Sequence, residues 1–332
     1  MKKAFSFALI LLVTVVLCFT GCGEAPDEIV SVAQSESGIN QEPETPASDF
    51  EYTENSDGGI SITKYRGSHT DIIVPQKINE KYVTQIGDSC FYFNSTLTSV
   101  VLPDSIILIG GEAFSQCSSL STVVLSQNLK EIGNGAFSEC NKLSEITLPD
   151  CLTKIGIGAF LNCTSLKHIT IPESVTELGW KSFMSSGLET LTLEEGLEII
   201  PNDAFGGTQL REIVLPSSVT ELGSQAFGGC ANLENVILNE GLVKIGDRAF
   251  GGKSKLTELV IPKSVQDITE HVVSGCNTLE KLKFEGDAPN DYVYPIEEMP
   301  IEPVDVHYTI YFHSSAQGFT LPEWNGYPTA IW

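Results

Sequence analysis

The chain predicts a mainly β solenoid with short helical turns, built from about nine units of 22–23 residues and capped at both ends. Three observations predict it. Phe recurs at Phe91, Phe114, Phe137, Phe160, Phe183, Phe205, Phe227 and Phe250, with Val273 in the ninth place. Leu recurs with the same period at Leu97, Leu120, Leu143, Leu166, Leu188, Leu210, Leu233, Leu256 and Leu279. The step from each Leu to the next Phe is always 17 residues, so both one-residue deletions fall in the turns after Phe183 and Phe205. A fixed period of this length marks stacked repeats, and gaps confined to one turn are what a stack tolerates.

Composition narrows the function. The 332 residues would suit two average domains, but repeats override that prior. An apolar fraction of 42% supports a buried core. The net charge of −24 argues against nucleic acid, whose phosphates need clustered Lys and Arg. It also argues against an anionic lipid surface as a partner of the folded part.

The segments follow in order. Residues 1–21 begin with Lys2 and Lys3 and continue as an apolar and small run over residues 4–20. This is the pattern of a secretory signal, with a short membrane anchor as the competing reading. Phe19, Thr20, Gly21 and Cys22 resemble the lipobox of bacterial lipoproteins. That resemblance implies removal of the signal and lipidation of Cys22 as the first mature residue. Residues 23–49 contain no Lys, Arg or aromatic residue, but seven acids and three prolines. Such a stretch buries too little to fold, so 22–49 is expected to be an extended acidic tether. A short recognition peptide is the alternative there. Residues 50–84 form the N-terminal cap, 85–284 the solenoid and 285–332 the C-terminal cap.

One unit shows the logic. Leu143, Ile146 and Leu148 give the L-x-x-L-x-L spacing of a leucine-rich strand, whose last two apolar residues alternate with an outward one. Leu152 and Ile155 anchor a second extended segment. Gly156 to Phe160 is expected to form a tight turn with a short helical piece. The Gly column admits Pro201 and Thr269, so it serves close packing and not positive φ.

The motif Ile-Gly-x-x-Ala-Phe-x-x-Cys-x-x-Leu stands complete at residues 132–143 and 155–166. It resembles the BspA-like leucine-rich repeat proteins of bacterial surfaces. Ile60 to Gly67 with Ile73, Val74 and Pro75 resembles that family's opening strands. Tyr308 to Trp332 resembles its closing segment. The resemblance implies a surface-exposed, non-catalytic adhesion or interaction protein.

Each candidate site has a competing structural role. Cys117, Cys140, Cys163, Cys230 and Cys276 share one column, and reduced core thiols explain them better than a metal ladder or disulfides. No HExxH, P-loop, dinucleotide fingerprint or Gly-x-Ser-x-Gly is present, so neither an enzyme nor a cofactor is expected. One outward strand column contains Glu145, His168, Thr190, Glu212, Asn235 and Glu258. It is a candidate strand face. The neighbouring β-branched column suits any exposed sheet. In the column after Gly, polar or small residues dominate except at Ile157 and Trp180. Four residues on, Leu161 and Met184 are the apolar members in the same two units. On a helical turn, i and i+4 share a face, which makes Ile157, Leu161, Trp180 and Met184 one candidate binding patch. The closing aromatics Phe319, Trp324, Tyr327 and Trp332 are expected to cap the open end.

These readings predict a lipid-anchored protein exposed at a bacterial cell surface. Its partner is a protein or glycan on a host, a matrix or a neighbouring cell. Its contact with membrane is through lipid only. The alternatives are a scaffold within the cell envelope and an accessory lipoprotein that captures a soluble ligand.

Overall fold

The computed structural model describes residues 43–269, 271–289, 307–324 and 327–332. The expected signal, Cys22 and most of the tether lie outside the described residues. The body is a β-solenoid of about eleven turns. The nine sequence repeats account for most of them, and the caps add the rest. Among the described residues no helix is long and apolar enough to cross a membrane.

Two sheets run along the stack. Ser99–Val101 and Thr122–Val124 belong to the first, where Ser99 pairs Thr122 in parallel. The second holds Lys81–Ile86, Leu108–Ile109, Glu131–Ile132, Lys154–Ile155 and Glu177–Leu178, each parallel to the last. Side chains alternate, so Val123, Ile146 and Ile169 enter the core while Val124, Glu145 and Thr170 face out. The caps continue both sheets. Ile60–Tyr65 pairs with Lys81–Ile86, and Asp71–Ile73 with Ser99–Val101. At the other end Lys281–Phe284, Thr309–Phe312 and Tyr327–Ile331 follow in parallel.

The folded body starts earlier than residue 50. Thr45 is buried, and its amide donates to the Ile73 carbonyl at 2.9 Å. Glu44 Oε1 accepts the Gln76 amide at 3.1 Å. Edge strands need their open groups covered, and residues 44 and 45 cover one here.

The turns are not helical, which corrects that part of the expected fold. Gly158 and Asn162 have φ of 60° and 59°, and Lys181 and Ser185 repeat this one turn later. Left-handed residues interrupt a right-handed helix. Alternate amides then point along the stack: Gly158, Phe160 and Asn162 donate to the carbonyls of Trp180, Ser182 and Met184. The only helical piece among the described residues is Ala47–Asp49.

The core is a column of rings. Phe114, Phe137, Phe160 and Phe183 stack with centroids 5.0–5.3 Å apart and planes within 8°. Beside them runs the thiol column. Cys117, Cys140 and Cys163 each donate to the carbonyl of the Phe one turn back, at 3.1 Å. A cysteine here fills an apolar slot and supplies a weak donor to a buried carbonyl. All six described free cysteines, Cys90 included, are buried. Burial pushes the Cys117 and Cys163 thiols up to about 12.

The Gly column serves packing, as expected. A Cβ on Gly156 would lie 2.6 Å from the Asn134 amide nitrogen and from the Gly133 carbonyl carbon. Gly156→Ala should therefore cost about 1–3 kcal/mol by overpacking. Gly111→Ala is the control, because its Cβ would meet nothing nearer than 3.5 Å. Urea midpoints would check the pair, and equal midpoints would refute the packing role.

Candidate functional site

The candidate patch lies on the turn edge. Trp180 accepts the Gly158 amide at 2.9 Å, which sets it one coil above Ile157. Met184 accepts the Asn162 amide at 3.0 Å, which sets it one coil above Leu161. Ile157 and Trp180 are 52% and 59% exposed, whereas Leu161 and Met184 are half-buried. The four side chains thus occupy two adjacent coils, and Ile157 with Trp180 forms the accessible part. The shared face comes from stacking of the coils and not from a helical i, i+4 spacing.

The polar members of that column have a structural task. Asp88 Oδ1 accepts the Gly111 amide at 2.6 Å, Asn134 Oδ1 the Ile157 amide at 2.8 Å and Asn202 Oδ1 the Ser224 amide at 2.7 Å. Each side chain caps the next coil. Ile157 and Trp180 have no acceptor to offer. Each such bond contributes about 0.5–1.5 kcal/mol net. Two neighbouring coils therefore forgo a stabilising contact and expose apolar surface instead. The sequence shows the odd residue types; only the bonds show what they displace.

The candidate strand face is not continuous. His168 Nδ1 and Thr190 Oγ1 are hydrogen-bonded to each other across one two-stranded piece. Asn235 donates to Glu212 at 2.8 Å across a second. Glu258 accepts Lys283 at 2.7 Å in a third, which includes the C-terminal cap. Glu145 joins only an isolated bridge to Thr122. Five of the six residues thus satisfy neighbours in the same column or beside it. The closing aromatics behave as an end cap: Phe319 stacks on Phe312 at 4.7 Å and meets Trp324 at 4.7 Å, and Trp324 and Tyr327 are buried. Among the described residues no group of three or more His, Cys, Asp or Glu is arranged to hold a metal ion.

A feature that the repeat pattern left unread lies beside the patch. In the second sheet each Gly amide donates back one coil: Gly156 to Ile132, Gly179 to Ile155 and Gly223 to Ile200, at 2.7–2.8 Å. Pro201 stands in that column and has no N–H. The ladder stops there, with Glu177–Leu178 ending one sheet and Ile199–Ile200 starting another. Among the described residues no backbone hydrogen bond joins 176–179 to 198–201. Thr269 is the comparison: among the described residues its amide makes no such bond to Ile245, yet its strand Asp267–Ile268 stays paired with Lys244–Ile245, so the break at Pro201 needs the ring as well as the missing N–H.

The family model described as the BspA type leucine rich repeat region matches residues 84–210 and 180–294, in six copies. Among solved structures, the chain is similar to a leucine-rich repeat protein from Bacteroides ovatus, with a TM-score of 0.66 and 26% identity over 80% of this chain and 70% of that one. It is similar to a leucine rich cell surface protein from Faecalibacterium prausnitzii, with a TM-score of 0.56 and 25% identity over 74% and 89%. It is also similar to the leucine rich repeat protein of T. pallidum, with a TM-score of 0.50 and 32% identity over 63% and 88%. No curated protein matches the chain.

Proposed function

The chain belongs to the BspA-type leucine-rich repeat family, and from that premise we propose that it is an adhesion protein, lipid-anchored through Cys22 at a bacterial cell surface. The family and its surface-protein neighbours support a repeat-based surface or protein-binding role. A leucine-rich repeat solenoid is typically a binding scaffold and not an enzyme. The observation that carries the finer reading is the exposed Ile157–Trp180 pair, which stands where three other coils hold polar caps. Exposed apolar patches mark interaction sites, and Trp is favoured at their energetic centres. The partner is a protein or glycan of a host, a matrix or another cell.

The test is binding of the mature chain to arrayed matrix proteins, glycans and bacterial cells, beside an Ile157→Ser/Trp180→Ser variant of unchanged melting. The variant should lose at least about 2 kcal/mol of binding, the usual worth of a Trp hot spot. In cells, Cys22→Ala should release the chain from the membrane fraction. A partner bound equally by both forms would remove the patch from the site. No partner at micromolar concentration would favour a scaffold within the envelope.

A further inference from the structure

The break at Pro201 opens a groove of 530 Å³ between two coils, lined by Thr176, Glu177, Leu178, Glu198, Ile199 and Pro201. Its walls differ from every regular junction of that sheet. Leu178 is half-buried, whereas its inward column mates Ile155, Ile200, Leu222 and Ile245 are fully covered, and Ile199 stands 50% exposed in the outward column with Glu221. The Leu178 carbonyl lacks the Gly N–H that the Ile132, Ile155 and Ile200 carbonyls receive. Two carboxylates flank the opening. Glu177 reaches only Lys154, at 3.9 Å, and Glu198 has no ion pair among the described residues. Trp180 follows two residues after Leu178, where the groove meets the turn edge.

We propose that this groove is a docking site for a basic, extended segment of a partner protein, with a Lys or Arg side chain seated between Glu177 and Glu198. The inference rests on the protein-binding reading above and assigns it a second contact and a partner chemistry. Three features select that occupant. The walls combine apolar contact at Leu178 and Ile199 with acidic groups at the rim, which suits the long apolar stem and charged head of Lys or Arg. The open Leu178 carbonyl is an acceptor, which a cationic donor satisfies and an anion does not. The chain's net charge of −24 steers basic partners towards it and acidic ones away. The groove persists because the turn bonds on the adjoining edge remain, from Phe183 to Ala204 at 2.8 Å and from Ser185 to Gly206 at 2.8 Å. Only the second sheet parts.

The experiment titrates the mature chain with a fluorescent peptide of alternating Val and Arg, at physiological salt, beside its Val and Glu counterpart. The basic peptide should bind saturably and the acidic one should not. Glu177→Gln/Glu198→Gln should weaken binding about tenfold, the size expected for one lost charge-assisted contact. Pro201→Gly restores the missing N–H and removes the ring, so the ladder should close and binding should fall by a similar factor. Glu112→Gln/Glu139→Gln removes the same charge from the turn edge and should leave binding unchanged. Equal weakening by both double variants would mean diffuse attraction and overturn the proposal, as would absence of binding. Dimerisation of the wild type that Pro201→Gly abolishes would assign the groove to a second copy and also overturn it. The two readings fail separately. An array partner that still binds the Pro201→Gly variant, without peptide binding, keeps the adhesion reading and rejects the groove. Groove-dependent peptide binding without any array partner keeps the groove and rejects adhesion.

Discussion

Between pH 9 and pH 12 the folded chain should lose stability at about 1.4 kcal/mol per pH unit for each strongly shifted buried thiol. The cause is the cost of placing a thiolate in an apolar stack. Burial is the largest influence on Cys117 and Cys163, whose thiols are pushed up to about 12, and on Cys140, which lies well above its ordinary value of 9.0. Cys90, Cys230 and Cys276 are shifted the same way. Below pH 9 these thiols keep their protons in both states, and stability does not depend on them. Above pH 9 the unfolded chain releases protons that the folded chain retains. Stability therefore falls as pH rises, and the fall ends only where the folded thiols ionise. The four most strongly shifted groups, Cys90, Cys117, Cys140 and Cys163, sum to about 6 kcal/mol per unit, against a typical domain stability of about 5–15 kcal/mol. Alkaline unfolding within one or two units above pH 9 is the expected result. Urea midpoints at a series of pH values would measure the slope. A Cys117→Ala/Cys140→Ala/Cys163→Ala variant should begin less stable but show well under half the slope. An unchanged slope would mean that other groups drive the alkaline transition.

This chemistry was only partly legible in the chain. The 17-residue step from Leu143 to Phe160 sets the repeat, and a column such as Cys117, Cys140 and Cys163 can be read as core because Ser186 and Thr208 replace it singly. The partner of the thiol could not be read. That Cys163 donates to the Phe137 carbonyl depends on coil spacing. The replacements also fare unequally: Thr208 turns to the Phe205 carbonyl of its own coil at 2.9 Å, while the Ser186 hydroxyl is buried with no partner among the described residues. The turn was misread as partly helical for a similar reason. Gly158 hints at positive φ, but Lys181 at the same place one coil later does not. The stack imposes that backbone on whatever residue stands there, because each alternate amide must meet a carbonyl of the next coil. Pro201 is the sharper lesson. Its fixed φ says that the column needs no left-handed residue, which is correct. Its missing N–H and its ring coincide with the break in the second sheet, and that consequence follows only once the acceptor of each Gly amide is known. The patch was legible by residue type at Ile157 and Trp180, since unusual side chains in a periodic column are visible without coordinates. The groove beside it was not, because a lost hydrogen bond leaves no mark in a hydropathy pattern.

Replacing Phe160 with alanine should cost about 3–5 kcal/mol, the range for truncating a large buried ring. Phe160 is fully buried and faces Phe137 at 5.3 Å and Phe183 at 5.0 Å. The substitution opens a cavity that neighbouring rings, fixed in their own coils, cannot fill. It also removes two ring–ring contacts, each worth about 0.5–1.5 kcal/mol beyond its area. Phe250 provides the comparison. It is equally buried, but it stacks on Phe227 at 5.9 Å, and the next residue in its column is Val273. Phe250→Ala should therefore cost less by about one such contact. In a solenoid each repeat leans only on its neighbours, so weakening a central interface also weakens the coupling between the two halves. For Phe160→Ala, circular dichroism and Trp fluorescence should then report separated urea transitions, whereas Phe250→Ala should shift one transition and leave it single. Equal costs for the two variants would show that burial alone matters and that the stack adds nothing. A loss under 1 kcal/mol at Phe160 would show that the coils are held by their backbone ladders, and the ring column would then be a consequence of the stack and not its support.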